Sequence, residues 1–374
     1  MSDTIQIQKG SILIYRVFDI AEEIHLSKVE KIVSQLPSSR LKLTRPLRHA
    51  IVIRNAPIRI ALGELDIPIG KHKFKGECSV TLWDYGVLSV LFQIPIAPGT
   101  PWTDLLKLSA FITGDDPSDE AIEDLARAKC LEIATVIAPA LNKPSEWDVY
   151  EDYTVYFFEK FSGNTTVKDM IERGDLPILI LGEPDEPLAE DSRAPILENM
   201  FQYSTNDLAV IDWNSAVVIE PNGQRDIPDV LEFALTHLLE VRYYDDLLDQ
   251  RLNELYDAIE LKHRSSILGS RFLKLSHEAN SRFIEFSEVI ERVDNSLKVV
   301  GDFYLAKIFR AVTRRFRLPD WEQSITRKMD LLARVSQLLQ GEVNVQRSFL
   351  LEVVIIFLIA FEVASALLKP LMKM

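Results

Sequence analysis

Histidine and cysteine are the side chains that most readily ligate metals or move protons near neutral pH. Here the six histidines, His25, His49, His72, His237, His263 and His277, stand apart, with none one helical turn from another or from a cysteine. Cys78 and Cys130 are far apart, and neither belongs to a CxxC or a Cys/His cluster. That spacing excludes a zinc ribbon and a disulfide framework and fits a reducing compartment. No GxGxxG, GxxxxGK[ST], HExxH, GxSxG or EF-hand loop occurs. Phosphate-cradling loops, zinc proteolysis, a nucleophile elbow and EF-hand calcium binding therefore have no carrier. The acidic run Asp115-Asp116-Pro117-Ser118-Asp119-Glu120 offers oxygen ligands, but a solvated helix start with a capping side chain explains it with fewer assumptions. The expectation is a non-enzymatic interaction or scaffold protein with no catalytic residue, cofactor or metal.

Two polar features carry more weight. Asp245 interrupts a 3-4-3-4 series formed by Leu231, Ala234, Leu238, Val241, Leu248, Leu252, Leu255 and Ile259, so that eight of nine positions are apolar. Such spacing is a coiled-coil seam. Either the seam drifts and leaves Asp245 exposed, or the carboxylate is buried and needs a cation opposite. A turn centred near Arg264 would bring Arg282, on the second helix, to that place. The second feature is the basic helix end Arg310-Ala311-Val312-Thr313-Arg314-Arg315-Phe316-Arg317. Cations are favourable there for dipole reasons alone, and an anionic lipid surface or RNA are the functional alternatives.

The elements around these residues change character along the chain. Up to about residue 220, strand-like and helix-like segments alternate. Ser11–Phe18, Ile58–Leu62, Tyr150–Phe158, Pro177–Leu181, Leu208–Ile211 and Ala216–Ile219 read as strands, and Ala50–Arg54 as another β-branched run. Cys78–Trp83 and Val87–Ile94 flank Asp84-Tyr85-Gly86 as a hairpin. Ala21–Gln35 and Asp119–Leu141 carry helical spacing. Glu183–Pro195, with three prolines and five acidic residues, reads as an exposed loop. Without regular βαβ spacing the fold class is α+β. After Pro221-Asn222-Gly223-Gln224 long helices take over, broken at Lys262–Gly269, at Leu318-Pro319-Asp320 and, more weakly, at Gly341–Asn344. The expected domains are an acidic α+β domain (1–225), a helical hairpin (226–344) and an apolar C-terminal helix (345–374).

That last helix includes Phe349–Leu368, with seventeen aliphatic or aromatic side chains, bracketed by Arg347, Lys369 and Lys373. Twenty residues at ~1.5 Å per residue reach ~30 Å, the depth of a bilayer core. Leu350, Val354, Phe357, Leu358 and Phe361 would face lipid, although Glu352 and Glu362 interrupt the run. The expectation is a single-pass anchor with the bulk of the chain cytoplasmic; the alternative is a soluble protein with this helix buried. The polar segment Met1–Lys9 is no secretory signal. Residues 1–225 hold 22 Lys and Arg against 34 Asp and Glu, a balance of −12 out of −14 for the whole chain. Nucleic acid is a poor partner for such a surface.

Several blocks of the second half resemble a known family. They are Asp212-Trp213-Asn214-Ser215-Ala216, Leu238–Asp249, Gly301-Asp302-Phe303-Tyr304-Leu305-Ala306-Lys307-Ile308, Arg315-Phe316-Arg317-Leu318-Pro319-Asp320-Trp321 and Leu351–Ile359. Over about residues 200–365 the chain resembles the family that includes the "required for meiotic nuclear division" proteins. The resemblance implies a membrane-associated protein with a C-terminal apolar helix and no established catalytic residues. Tyr244, Asp302, Tyr304 and Trp321 join Asp245, Arg282, Arg310 and Arg314 as candidate structural or interaction residues. The leading expectation is a membrane-anchored scaffold that self-associates through its helices and binds a protein partner. A magnesium channel of the CorA type is a weaker alternative, lacking its Gly-Met-Asn motif and second span; an enzyme with an unrecognised N-terminal site is another.

Overall fold

The computed structural model describes residues 5–34, 37–40, 55–113, 118–145, 147–185, 187–260 and 303–371. The molecule divides into two compact units, one of Met1–Tyr243 with Val289–Asp320 and one of Tyr244–Glu288 with Trp321–Met374.

The first unit is built on strand β1 (Gln6–Asp19), whose near-continuous apolar run is the pattern of a strand buried on both faces. It pairs antiparallel with β6 (Val87–Pro95) on one side and β9 (Tyr150–Phe161) on the other. The sheet extends through β5 (His72–Leu82), β4 (Ile58–Ile69) and β3 (Ser38–Arg40) at one end. At the other end come β12 (Ser215–Ile219), β11 (Leu208–Ile211) and β10 (Met200–Phe201), and β7 (Thr100–Pro101) pairs with β1. The β9–β12 pair is parallel, and so needs a long crossover. That crossover contains α4 (Val167–Arg173), α5 (Leu176–Leu181), α6 (Glu190–Leu197), β10 and β11. A short pair, β2 (Ala21–Ile24) with β8 (Leu141–Pro144), stands apart.

Period-two alternation sends the two sets of side chains to opposite faces. Ile12, Ile14, Phe18, Ile60, Val80, Val90, Phe92, Tyr156 and Phe158 join one apolar core. Residues of α2 (Trp102–Thr113), α3 (Ser118–Val136), α5 and α6 complete that core. The opposite face carries Leu13, Tyr15, Leu91, Tyr153 and Phe157, all buried. Two helices cover it: the first half of α7 (Asp226–Glu260) and α8 (Phe303–Arg315). Phe233 of α7 packs against Trp83 at 5.5 Å between ring centres and against Phe309 of α8 at 5.7 Å. Phe316, just after α8, packs edge-on against Tyr153 at 5.5 Å. The unit is thus a sheet with helices on both faces; of the expected α+β fold, the large N-terminal mixed sheet domain with helices later in the chain is present.

Several elements differ from the sequence-based expectation. Pro177–Leu181 is not a strand but the helix α5, which has proline in its first turn and ends on Gly182 in the left-handed region. A short apolar run does not distinguish the two by periodicity, and here the end residues decide. Ala21–Gln35 divides into β2 and α1 (Leu26–Ile32), and the expected loop Glu183–Pro195 includes the start of α6. The run 226–241 of α7 is buried on every side, so it is a central helix of the unit and not the one-sided seam of a coiled coil. The weak point at Gly341–Asn344 does not break the chain: α9 (Leu318–Leu371) runs through it for 54 residues. A single glycine costs a helix only about 1 kcal/mol, and no proline lies nearby. Ala50–Arg54 and Lys262–Gly269 lie outside the described residues.

Among the described residues, no helix is long and apolar enough to cross a membrane. Of the expected span Phe349–Leu368, the side chains described without interruption are those of 351–361, and every one is exposed. The expected transmembrane span is thus not shown among the described residues. Leu350 lies outside the described side chains, whereas Val354, Phe357, Leu358 and Phe361 are solvent-exposed.

Candidate functional site

A group of charged residues in the first unit lies where α7 crosses the second face of the sheet. Strand register sets Arg59 of β4 beside Thr81 of β5, and its Nε donates to Thr81 Oγ1 at 3.1 Å. Asp229 and Glu232 stand three apart on α7, on one helix face. Arg59 Nη2 donates to Asp229 Oδ1 at 3.1 Å and to Glu232 Oε2. Glu232 is fully buried, and its Oε1 has no hydrogen-bond partner among the described residues. Burial, with the Glu232 charge adding to it, raises the Asp229 carboxyl to about 6, while Arg59 pulls it down. Burial opposes the charge of Arg59, but Glu232 and Asp229 outweigh it and push its pKa up. The Tyr15 phenol, also on this face, is pushed far up by burial first and then by Glu232.

Beside this cluster opens a groove of about 510 Å³ whose lining includes Ser38, Ser39, Arg59, Glu77, Ser79 and Arg225. The Arg225 guanidinium lies over the Phe157 ring at 5.1 Å. Toward the other end of the helix, the Tyr85 hydroxyl and Thr236 Oγ1 are 2.7 Å apart, and Arg242 donates to Glu151 Oε1. Burial raises Glu151 to about 7, against the pull of Arg242. Ser145 Oγ donates to Asp19 Oδ2 at 3.0 Å, yet burial still raises Asp19 to about 7. Burial alone lowers His237 to about 4, so its imidazole is neutral at pH 7. Chemically, the carboxylates hold arginines that fasten α7 to the sheet, and the groove offers guanidinium, hydroxyl and amide donors. Among the described residues no group of three His, Cys, Asp or Glu is placed to hold a metal.

Arg59, Asp229 and Glu232 carry no site motif in the sequence. Arg59 sits at an outward position of a β-branched run, and Asp229 with Glu232 reads as an ordinary acidic helix start. The available signal was their i, i+3 spacing; what it lacked was the strand that would oppose them.

The residues expected from the sequence fall elsewhere. Asp245, in the second unit, is buried, with 7% of its surface exposed. Its cation is Lys328 of α9, with Nζ 2.8 Å from Asp245 Oδ1 and 2.6 Å from Asp249 Oδ2, while Ser324 Oγ donates to Asp245 at 2.9 Å. Arg282, the expected partner, lies outside the described residues, as does Asp302. Tyr244 is buried, and Tyr304 is buried with its ring 5.5 Å from that of Tyr203. Arg310 and Arg314 are exposed, and Trp321 is half-buried. Arg315, between them and Phe316, instead pairs with buried Asp212.

Comparison with known proteins places the first unit in a family. The model described as "Uncharacterized protein MJ0711, N-terminal domain" matches residues 9–226. The uncharacterized protein MJ0711 of Methanocaldococcus jannaschii is 23% identical over 221 residues, 59% of this chain and 66% of that protein. The chain thus covers just under two thirds of that relative's length. No solved structure matches. The family match covers the α/β unit and meets residues 200–365 only over 200–226, and a link to the meiotic nuclear division proteins is not shown. By the extent of the match, the chain belongs to the MJ0711 N-terminal domain family.

Proposed function

We propose that this member of the MJ0711 N-terminal domain family is a non-enzymatic interaction protein that works at a membrane surface, held there by its C-terminal helix. One observation carries the proposal. From 351 to 361 every side chain of α9 is exposed, and nine of them are large and apolar, from Val354 at 45% to Phe357 at 70%. Glu352 apart, the stretch is apolar on all sides, and such a helix belongs in a core or a bilayer, not in water. Each large apolar side chain moved out of water contributes about 1.5–3 kcal/mol. Eleven residues reach only ~16 Å at ~1.5 Å each, but the apolar sequence continues to Leu368 and closes on Lys369 and Lys373. Basic flanks of this kind sit well at a headgroup boundary. The polar lock and groove of the first unit supply hydrogen-bond donors suited to recognition, and we assign them no catalytic step.

The continuous α9 favours a second reading, in which the same apolar stretch packs against its counterpart in another copy. Native membranes washed with carbonate separate the two readings. The anchor reading expects the full chain in the pellet and a chain ending at 344 in the supernatant. A full-length chain that stays in the supernatant as an oligomer, and becomes monomeric on the same truncation, supports the second reading and sinks the first.

A further inference from the structure

We infer that α8 presents a built face for an anionic lipid surface, distinct from the apolar helix of α9. The helix is strongly two-sided: Tyr304, Leu305, Ile308, Phe309 and Val312 are buried. Phe303, Lys307, Arg310 and Arg314 follow one another at spacings of four, three and four residues, and all four are exposed. That spacing aligns them in one stripe along the helix. Phe303 is 89% exposed. Lys307 lies over the Phe201 ring at 5.3 Å, and Arg310 Nε donates to the Ala306 carbonyl at 3.1 Å. No carboxylate pairs with any of the three cations among the described residues, unlike Arg315, which Asp212 neutralises.

Two further observations point outward. The Arg315–Asp212 pair fixes the end of α8 to the β11–β12 turn, and the packing of Phe316 on Tyr153 fixes it to β9. At the tip of that turn, next to Asp212, Trp213 is 60% exposed; at the other end of the helix, Tyr203, against Tyr304, is 62% exposed. Cations with exposed aromatic rings near both ends of their stripe are the composition of an interfacial surface, where indole and phenol sit among headgroups and guanidinium meets phosphate. The chain as a whole carries −14, so a stripe of three cations with no carboxylate partner among the described residues runs against its general charge and selects an anionic partner.

The choice of lipid over RNA rests on the proposed membrane attachment. A chain already tethered at a bilayer meets headgroups at high effective concentration, and weak electrostatic contacts then suffice. Each Lys or Arg near an anionic surface contributes about fivefold in partitioning.

The test uses the full chain and two vesicle compositions, phosphatidylcholine alone and phosphatidylcholine with phosphatidylserine. The expected result is partitioning into the anionic vesicles at least about tenfold above the neutral ones at low salt, with the excess shrinking as salt screens it. The variant Lys307→Gln/Arg310→Gln/Arg314→Gln should lose that excess while its binding to neutral vesicles is unchanged. Because all three side chains are exposed, the variant should retain the wild-type circular dichroism and melting temperature. Equal partitioning of the wild type into both compositions would overturn the inference, and so would an excess that survives the triple substitution. Binding of the wild type to single-stranded RNA that the variant loses, without any anionic-vesicle excess, would reassign the face to nucleic acid and equally overturn it. Failure of the full chain to bind neutral vesicles removes the anchor reading alone, because the anionic excess is measured separately.

Discussion

Lys328 compensates two carboxylates at once, and only one of them has access to water. Asp249 is half-exposed, whereas Asp245 is buried beside Ser324. Removing the ammonium strands a charge where solvent cannot screen it. Lys328→Met should therefore destabilise the helical unit by about 3–5 kcal/mol. Asp245→Leu/Lys328→Leu should return most of that loss, because a matched apolar pair of similar volume is often as stable as a buried ion pair. Urea unfolding of the single and double variants measures the coupling; additive effects would show that the pair is not coupled. On the sheet face of the first unit the same physics acts on proton binding. Asp19 and Glu151 near 7 and Asp229 near 6 are held above their unfolded values by burial. The folded state then binds protons that the unfolded state has released, so the stabilising contribution of these groups is complete below about pH 4 and is lost as pH rises through 6 to 7. Glu151→Gln should flatten the fall in unfolding free energy between pH 5 and pH 8. An unchanged slope would mean that Glu151 is ionised throughout this range.

At the scale of elements, the β5–β6 hairpin shows how one residue type determines a connection. Gly86 has φ of +98°, in the region that favours glycine, and a Cβ there would lie 1.6 Å from the Ala21 carbonyl oxygen. Backbone conformation and space both forbid a side chain, because β2 passes directly across the turn and Ile20 donates its N–H to the Gly86 carbonyl. Gly86→Ala should cost about 2–5 kcal/mol from strain and displacement together. Thermal unfolding checks this; a shift of less than a degree would show that the turn relaxes freely. The hairpin was legible because its turn signal and its flanking alternation agree. The helix α5 was not, because its six residues, Leu176-Pro177-Ile178-Leu179-Ile180-Leu181, suit a buried strand equally well until Gly182 is seen in the left-handed region. For α7 the apolar spacing was correctly seen, but spacing reports which residues recur, not how many sides of the helix are covered.

For the whole molecule, the sequence by itself determined β1, β9, β11, β12 and the β5–β6 hairpin, the change to long helices after Gly223, the restart at Pro319 and the apolar composition of the C-terminal run. These are properties of neighbouring residues: periodicity, turn chemistry, and proline's fixed φ and missing N–H act within a few positions along the chain. Asp245 was legible in the same way, as a polar residue in an apolar series that needs a cation. Which cation was not, since Lys328 is 83 residues away and its approach depends on how α9 packs on α7 within the second unit. The lock on the sheet follows the same rule at greater separation. Arg59 lies 170 residues from Asp229, and no local pattern in either segment announces the other. Only the tertiary structure decided that the start of α7 would be buried on every side, and with it that Asp229, Glu232, Glu240 and Asp226 would leave water. The physical reason is that a charge's environment is set by what closes over it. Apolar burial depends on how much surface is covered and tolerates many partners, whereas a buried charge requires one particular partner brought in by the fold.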